Sequence, residues 1–179
     1  MRVLLWVIEG TWAGCVDAAA PALPADAEVT ILHVVQSDVP EIAEGARAGL
    51  LGRSRPRREP GARMATVSQE AADDLLAKAA ERLGRPAETL SKRGPKVARV
   101  ILETAAEGGY DLLVAARDGD RDHVGPGSLG YITRFVVDHA PCTVLLVWPD
   151  GSPGLGSMPA PPPPGKVPPP PPPPPEHPW

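Results

Sequence analysis

The residues best suited to chemistry lie between Arg117 and Ile132, in the run RDGDRDHVGPGSLGYI. Gly119, Gly125, Gly127 and Gly130 space it, and Ser128 stands where a helix N-cap is expected. Glycines let backbone N–H groups close on an anion, and a following helix start adds favourable dipole charge. Two readings stay open. Gly125, Gly127 and Ser128 form either a phosphate cradle or, more simply, a turn and an N-cap. Asp118, Asp120 and Asp122 share the loop, and a carboxylate ~5 Å from a phosphate costs about 1 kcal/mol even with water-like screening. Their alternation has the spacing of a calcium loop, but His123 stands where that loop needs glycine and Leu129 where it needs glutamate. The aspartates therefore read as a solvated acidic loop.

Other reactive side chains are scattered. His33 falls inside an apolar run and His139 on the inner face of a helix, positions typical of hydrogen-bonded structural histidines. Cys15 and Cys142 are the only cysteines and lack metal-site spacing, which suits a reducing cytoplasm. Arg53, Arg55, Arg57, Arg58 and Arg63 form a basic cluster, read as a solvated loop, with a lid over a phosphate ligand as the sharper alternative. No nucleophile–base pair is placed for catalysis, so no catalytic residue is assigned.

The elements that must hold these residues follow from hydrophobic patterning. Val3 to Ile8, Val29 to Val35, Asp111 to Ala116 and Cys142 to Trp148 are continuous apolar runs, as expected of parallel strands buried on both faces. Ala87 to Lys92 is polar enough for an edge strand. Helices are expected from Thr11, as N-cap, to before Pro21, from Met64 to Leu83, from Gly94-Pro95 to Gly108-Gly109, and from about Leu129 to Pro141, with at most a short one at Glu41 to Ala48. In the last helix Ile132, Phe135, Val136 and His139 mark the inner face. The alternation of strand and helix implies a doubly wound α/β fold with right-handed crossovers.

Composition sets the outer limits. The net charge is −4 and the pI near 5.6, which excludes nucleic acid as the main partner. The six-residue apolar run at the N-terminus is too short for a membrane span or a signal peptide. Of 25 prolines, 16 fall between Pro149 and Trp179. The chain thus divides into a domain, residues 1–148, and a proline-rich tail, 149–179, expected to be disordered. Pro168 to Pro175 is expected as polyproline II about 25 Å long. It suits an aromatic-lined groove on a protein partner, with Trp179 as an anchor, or serves only as a solvating extension.

These elements carry residues that resemble the universal stress protein family. The segments are GPKVARVILETAAEGGYDLLVAARDG, LGYITRFVVDHAPCTVLLV, VLLWVIEGT and VTILHVV. The resemblance implies strand order 3-2-1-4-5, a Rossmann-like three-layer sandwich related to the adenine nucleotide alpha hydrolases, and a ligand crevice where the order reverses. ATP-binding members carry G-x2-G-x9-G-[ST] in the glycine loop. Here Ala116, Gly119 and Gly130 take the glycine places, ten residues separate the last two, and Tyr131 stands for the hydroxyl residue. The ligand set so implied is Val7, Glu9, Val34, Ala116, Gly119, Gly127, Ser128, Gly130, Tyr131 and Ile132. Glu9 would meet ribose or Mg²⁺, Val34 the adenine, and Gly119, Gly127 and Gly130 the phosphates. The expectation is a cytoplasmic regulatory protein with at most weak ATP hydrolysis. It either binds ATP with Mg²⁺ in the crevice or acts without nucleotide through protein contacts. The resemblance further implies a homodimer through Cys142 to Trp148, paired antiparallel about a two-fold axis.

Overall fold

The computed structural model describes residues 1–37 and 60–160. The helix expected at Glu41 to Ala48, the side chains of the arginine cluster, and Pro168 to Pro175 with Trp179 lie outside the described residues. The element order is β1 (Arg2–Trp6), α1 (Trp12–Ala19), β2 (Glu28–Gln36), α2 (Pro60–Leu83), β3 (Ala87–Gly94), α3 (Val97–Glu107), β4 (Leu112–Ala116), α4 (Tyr131–His139) and β5 (Thr143–Val147). All five strands are parallel, in the order β3-β2-β1-β4-β5.

The continuous apolar strands are explained by two cores. On one face Val3 and Leu5 of β1 and Val7 just after it meet Cys15, Val16 and Ala19 of α1 and Leu75, Leu76 and Ala79 of α2. On the other, Leu4 and Trp6 meet Val97, Ile101 and Ala105 of α3 and Val136 of α4. Alternate side chains of one strand thus enter opposite layers. Each fully buried Leu or Ile contributes about 1.5–3 kcal/mol. Asp17 of α1 and Arg82 of α2 form a bidentate pair at 2.6 and 2.7 Å across the outer surface of the first layer. That hydrogen-bonded guanidinium holds the Asp17 carboxyl below its usual range.

Three local expectations change. Pro95 does not enter α3: Gly94 still pairs with Gln36 at the end of β3, so the helix waits until Val97 with Lys96 as its N-cap. Thr11 heads α1 but its hydroxyl makes no cap bond; the turn before the helix is closed by backbone bonds from the Thr11 and Trp12 amides to the Ile8 carbonyl. Phe135 and His139 are exposed and stack with ring centroids 4.1 Å apart, so the inner face of α4 is Thr133 and Val136 with the partly buried Ile132 beside them. Phe135 borders an open groove between α3 and α4, lined also by Val97, Leu102, Tyr131 and Ile132.

Candidate functional site

The sheet order reverses between β1 and β4, so the chain leaves these neighbouring strands on divergent paths. After β1, Val7 is fully buried, its N–H bonded to Leu32 O at 2.9 Å. His33 donates from Nδ1 to the Val7 carbonyl at 3.0 Å, which gives this histidine the structural role expected of it. Glu9 is exposed. Thr11 is buried, and its Oγ1 has no partner.

After β4 the loop folds on itself. Ala116 is buried, and the Arg117 N–H donates to Val147 O at 3.0 Å, continuing the pairing with β5. The Arg117 guanidinium lies over the Trp148 ring, 4.7 Å from its centroid, and also donates to Ser128 Oγ. Trp148 therefore rests on its own domain. The Gly119 N–H donates to Ser128 O at 3.0 Å and the Asp120 N–H to Gly127 O at 2.8 Å. The Ser128 N–H donates to Gly125 O at 3.1 Å and the Leu129 N–H to Pro126 O at 3.4 Å. Gly119 packs so closely on residues 127–129 that a methyl there would overlap their backbone.

Ser128 does not cap a helix, contrary to expectation. It closes a 3-10 turn, Pro126–Ser128, is wholly buried, and donates its hydroxyl to Gly125 O at 2.6 Å. Helix α4 starts three residues later, with Gly130 as N-cap. The anion at its start is the chain's own: the Gly130 N–H donates to Asp118 Oδ1 at 2.8 Å. Asp120 accepts from the Asp122 N–H and from His123 Nδ1, both at 2.9 Å, and these bonds, the backbone one first, lower its carboxyl pKa. Asp118 and Asp120 thus turn to separate partners. Among the described residues no three His, Cys, Asp or Glu side chains are grouped to hold a metal ion.

The expected ligand set is only partly assembled. Gly119, Gly127, Ser128 and Gly130 meet in the loop. Val7 and Ala116 belong to the α1–α2 layer, whereas Val34 and Ile132 pack in the α3–α4 layer. Tyr131 is 84% exposed, so its ring does not fill the loop. Unforeseen from sequence were Asp118 as the cap of α4 and, among the described residues, four buried polar atoms without partners: Thr11 Oγ1, Arg117 Nε, Thr133 Oγ1 and Trp6 Nε1. The phosphate half of an ATP site fits these residues poorly as they stand, because the amides of Gly119 and Gly130, two of the three glycines assigned to phosphates, already donate within the loop.

The fold and the switch-point loop define a doubly wound α/β protein with a Rossmann-like sheet. The chain belongs to the universal stress protein family, whose family model matches residues 15–147. No curated protein matches it. Among solved structures it is similar to the hypothetical protein MJ0577, at 17% identity and TM-score 0.56, covering 82% of this chain and 94% of that one. It is similar also to the universal stress protein from Archaeoglobus fulgidus in complex with dAMP, at 15% identity and TM-score 0.54, covering 82% and 96%. A universal stress protein in complex with cAMP aligns at 16% identity and TM-score 0.53, covering 83% and 96%. Among the described residues no helix is long and apolar enough to cross a membrane.

Proposed function

We propose that this chain is a non-catalytic regulatory domain of the universal stress protein type, working in the cytoplasm through protein contacts, with its glycine loop closed to nucleotide phosphates. The observation that carries this reading is that the amides of Gly119, Asp120, Ser128, Leu129 and Gly130 all donate within the loop. A phosphate at such a loop draws its affinity from free N–H groups. Here it would first have to displace their present acceptors, and each buried acceptor left bare costs about 1–3 kcal/mol. The acidic loop adds repulsion. The contacts would run through the edge of β5, pairing with the same strand of a second copy, and through the proline-rich tail.

A second reading has its own support. Thr11 Oγ1, Arg117 Nε and Thr133 Oγ1 are buried without partners on elements either side of the switch point, a state polar atoms rarely keep. The dAMP and cAMP complexes of solved relatives suggest an adenine nucleotide as the missing partner. It would enter after the loop rearranges, with Val34 and Ile132 toward the base, Glu9 toward ribose or Mg²⁺, and any ATP hydrolysis weak. Equilibrium binding of labelled ATP with and without Mg²⁺ decides between the two. No saturation at micromolar ligand is expected; saturable binding would establish the second reading.

A further inference from the structure

Past β5 the chain does not leave the domain. Residues 148–157 run back over the two segments that follow β1 and β4, the two walls of the switch point. On the α1 side, Pro149 lies directly on Gly14, where a methyl group would overlap the proline carbonyl. On the loop side, Trp148 covers the Arg117 guanidinium, Asp150 pairs with Arg121 at 2.6 Å, and the Val124 N–H donates to Ser157 Oγ at 2.9 Å. Ser157 is fixed in turn by its hydroxyl bond to Gly154 O at 2.7 Å, at the end of the 3-10 turn Leu155–Ser157. One short segment therefore touches both walls.

Gly14 makes this contact more than incidental. It sits inside α1, where alanine would be the better helix former and glycine weakens the helix. Only the lack of a side chain lets the Pro149 backbone pass. The glycine is therefore explained by the strap and not by the helix. The strap also supplies partners to the loop: the Val124 amide donates to Ser157 and the Arg121 guanidinium to Asp150, both within it.

We propose that residues Trp148 to Ser157 form an intramolecular strap that ties α1 to the glycine loop and holds the loop in its closed arrangement, so that release of the strap opens the switch point. The proline-rich chain follows almost at once, beginning at Pro161. The coupling does not depend on whether a nucleotide enters.

Hydrogen exchange on the full chain tests it, using Gly14→Ala and the double variant Asp150→Ala/Ser157→Ala. In Gly14→Ala the amides of Val124, Gly119, Asp120 and Ser128 should exchange roughly tenfold faster, the change that about 1.4 kcal/mol of lost local protection produces. The amides of β1 and β2 should be unaltered. Acceleration at Val124 alone, with Gly119, Asp120 and Ser128 as in the parent protein, would make the strap a passive cover and overturn the proposal. If Gly14→Ala accelerates exchange throughout the sheet, the double variant decides by the same criterion, since Asp150 is exposed, Ser157 half-buried and neither lies in the core.

Discussion

Asp118 and Gly130 stand 12 residues apart in sequence, yet the carboxylate of one accepts the amide of the other at 2.8 Å, at the start of α4. A helix start attracts an anion, and in this protein the loop supplies one from its own chain. The bond also ties the first turn of the loop to its last, across the Gly119–Ser128 and Asp120–Gly127 bonds between them.

Replacing Asp118 therefore has two readouts. Asp118→Ala removes a cap and should lower stability by about 1 kcal/mol, or roughly 2–4 °C in the thermal midpoint for a chain of this size. Asp118→Asn keeps an acceptor oxygen and should lose less than half as much. A midpoint unchanged in Asp118→Ala, measured by calorimetry, would mean the carboxylate is not holding the loop.

Two loop glycines, both assigned to phosphates by family resemblance, should behave differently. A methyl on Gly119 would overlap the backbone of residues 127–129, and backbone gives way poorly. Gly119→Ala should cost about 1–3 kcal/mol, as overpacking does. At Gly127 the nearest atom to a methyl is Asp120 Cβ, at an ordinary 3.9 Å, so Gly127→Ala should be near neutral. Equal losses in urea melts of the two variants would contradict the closed loop.

The sheet was legible because each central strand is apolar without interruption: Val3 to Val7 enters two layers in alternation, which only a doubly covered sheet permits. The polar strand Ala87–Gly94 lies at the edge for the same reason reversed. The site was less legible. Helical spacing puts Phe135 and His139 on one face but cannot say whether anything covers it. Asp118 escapes notice because a cap reaching across a folded loop leaves no short-range pattern. The segment after Trp148 lacks core-forming residues, but one ring, one carboxylate and one hydroxyl suffice to fasten it.

Thiol chemistry gives a pH-dependent prediction. Cys15 is fully buried, and burial lifts its pKa from 9.0 to about 12. Cys142 is half-buried and raised for the same first reason. A thiol reagent at pH 8 should modify Cys142 more slowly than a free cysteine, and Cys15 only as the protein unfolds. Because the folded pKa of Cys15 is raised, its contribution to stability is complete below the ordinary value of 9.0 and declines as pH rises toward 12. Between pH 8 and 11 the parent protein should lose more stability than Cys15→Ala. Parallel curves for the two proteins would refute this.

Assembly through β5 is tested by charge. Thr143–Val147 is an edge strand, and its Val144 and Leu146 are only half-buried. An apolar edge left bare invites pairing, and a lysine in a two-fold contact acts twice. Sedimentation should show a dimer that Val144→Lys or Leu146→Lys weakens while circular dichroism stays native. A parent protein that sediments as a monomer at all concentrations would remove the dimer.

The boundary of the folded domain is tested by two deletions. The sequence boundary falls at Trp148, but Pro149 to Ser157 contacts α1 and the glycine loop. Deleting residues 161–179 should leave the thermal midpoint within error, since none of those contacts involves them. Deleting everything from Pro149 removes the proline seated on Gly14, the exposed Asp150–Arg121 pair and the acceptor of the Val124 amide. The ion pair matters little, because surface pairs are worth about 0–1 kcal/mol. The stranded amide and lost packing should bring the total to about 1–2 kcal/mol, a fall of roughly 2–8 °C for a domain of this length. Equal midpoints for both deletions would return the boundary to Trp148. A large fall on removing 161–179 alone would place part of the proline-rich chain in contact with the domain.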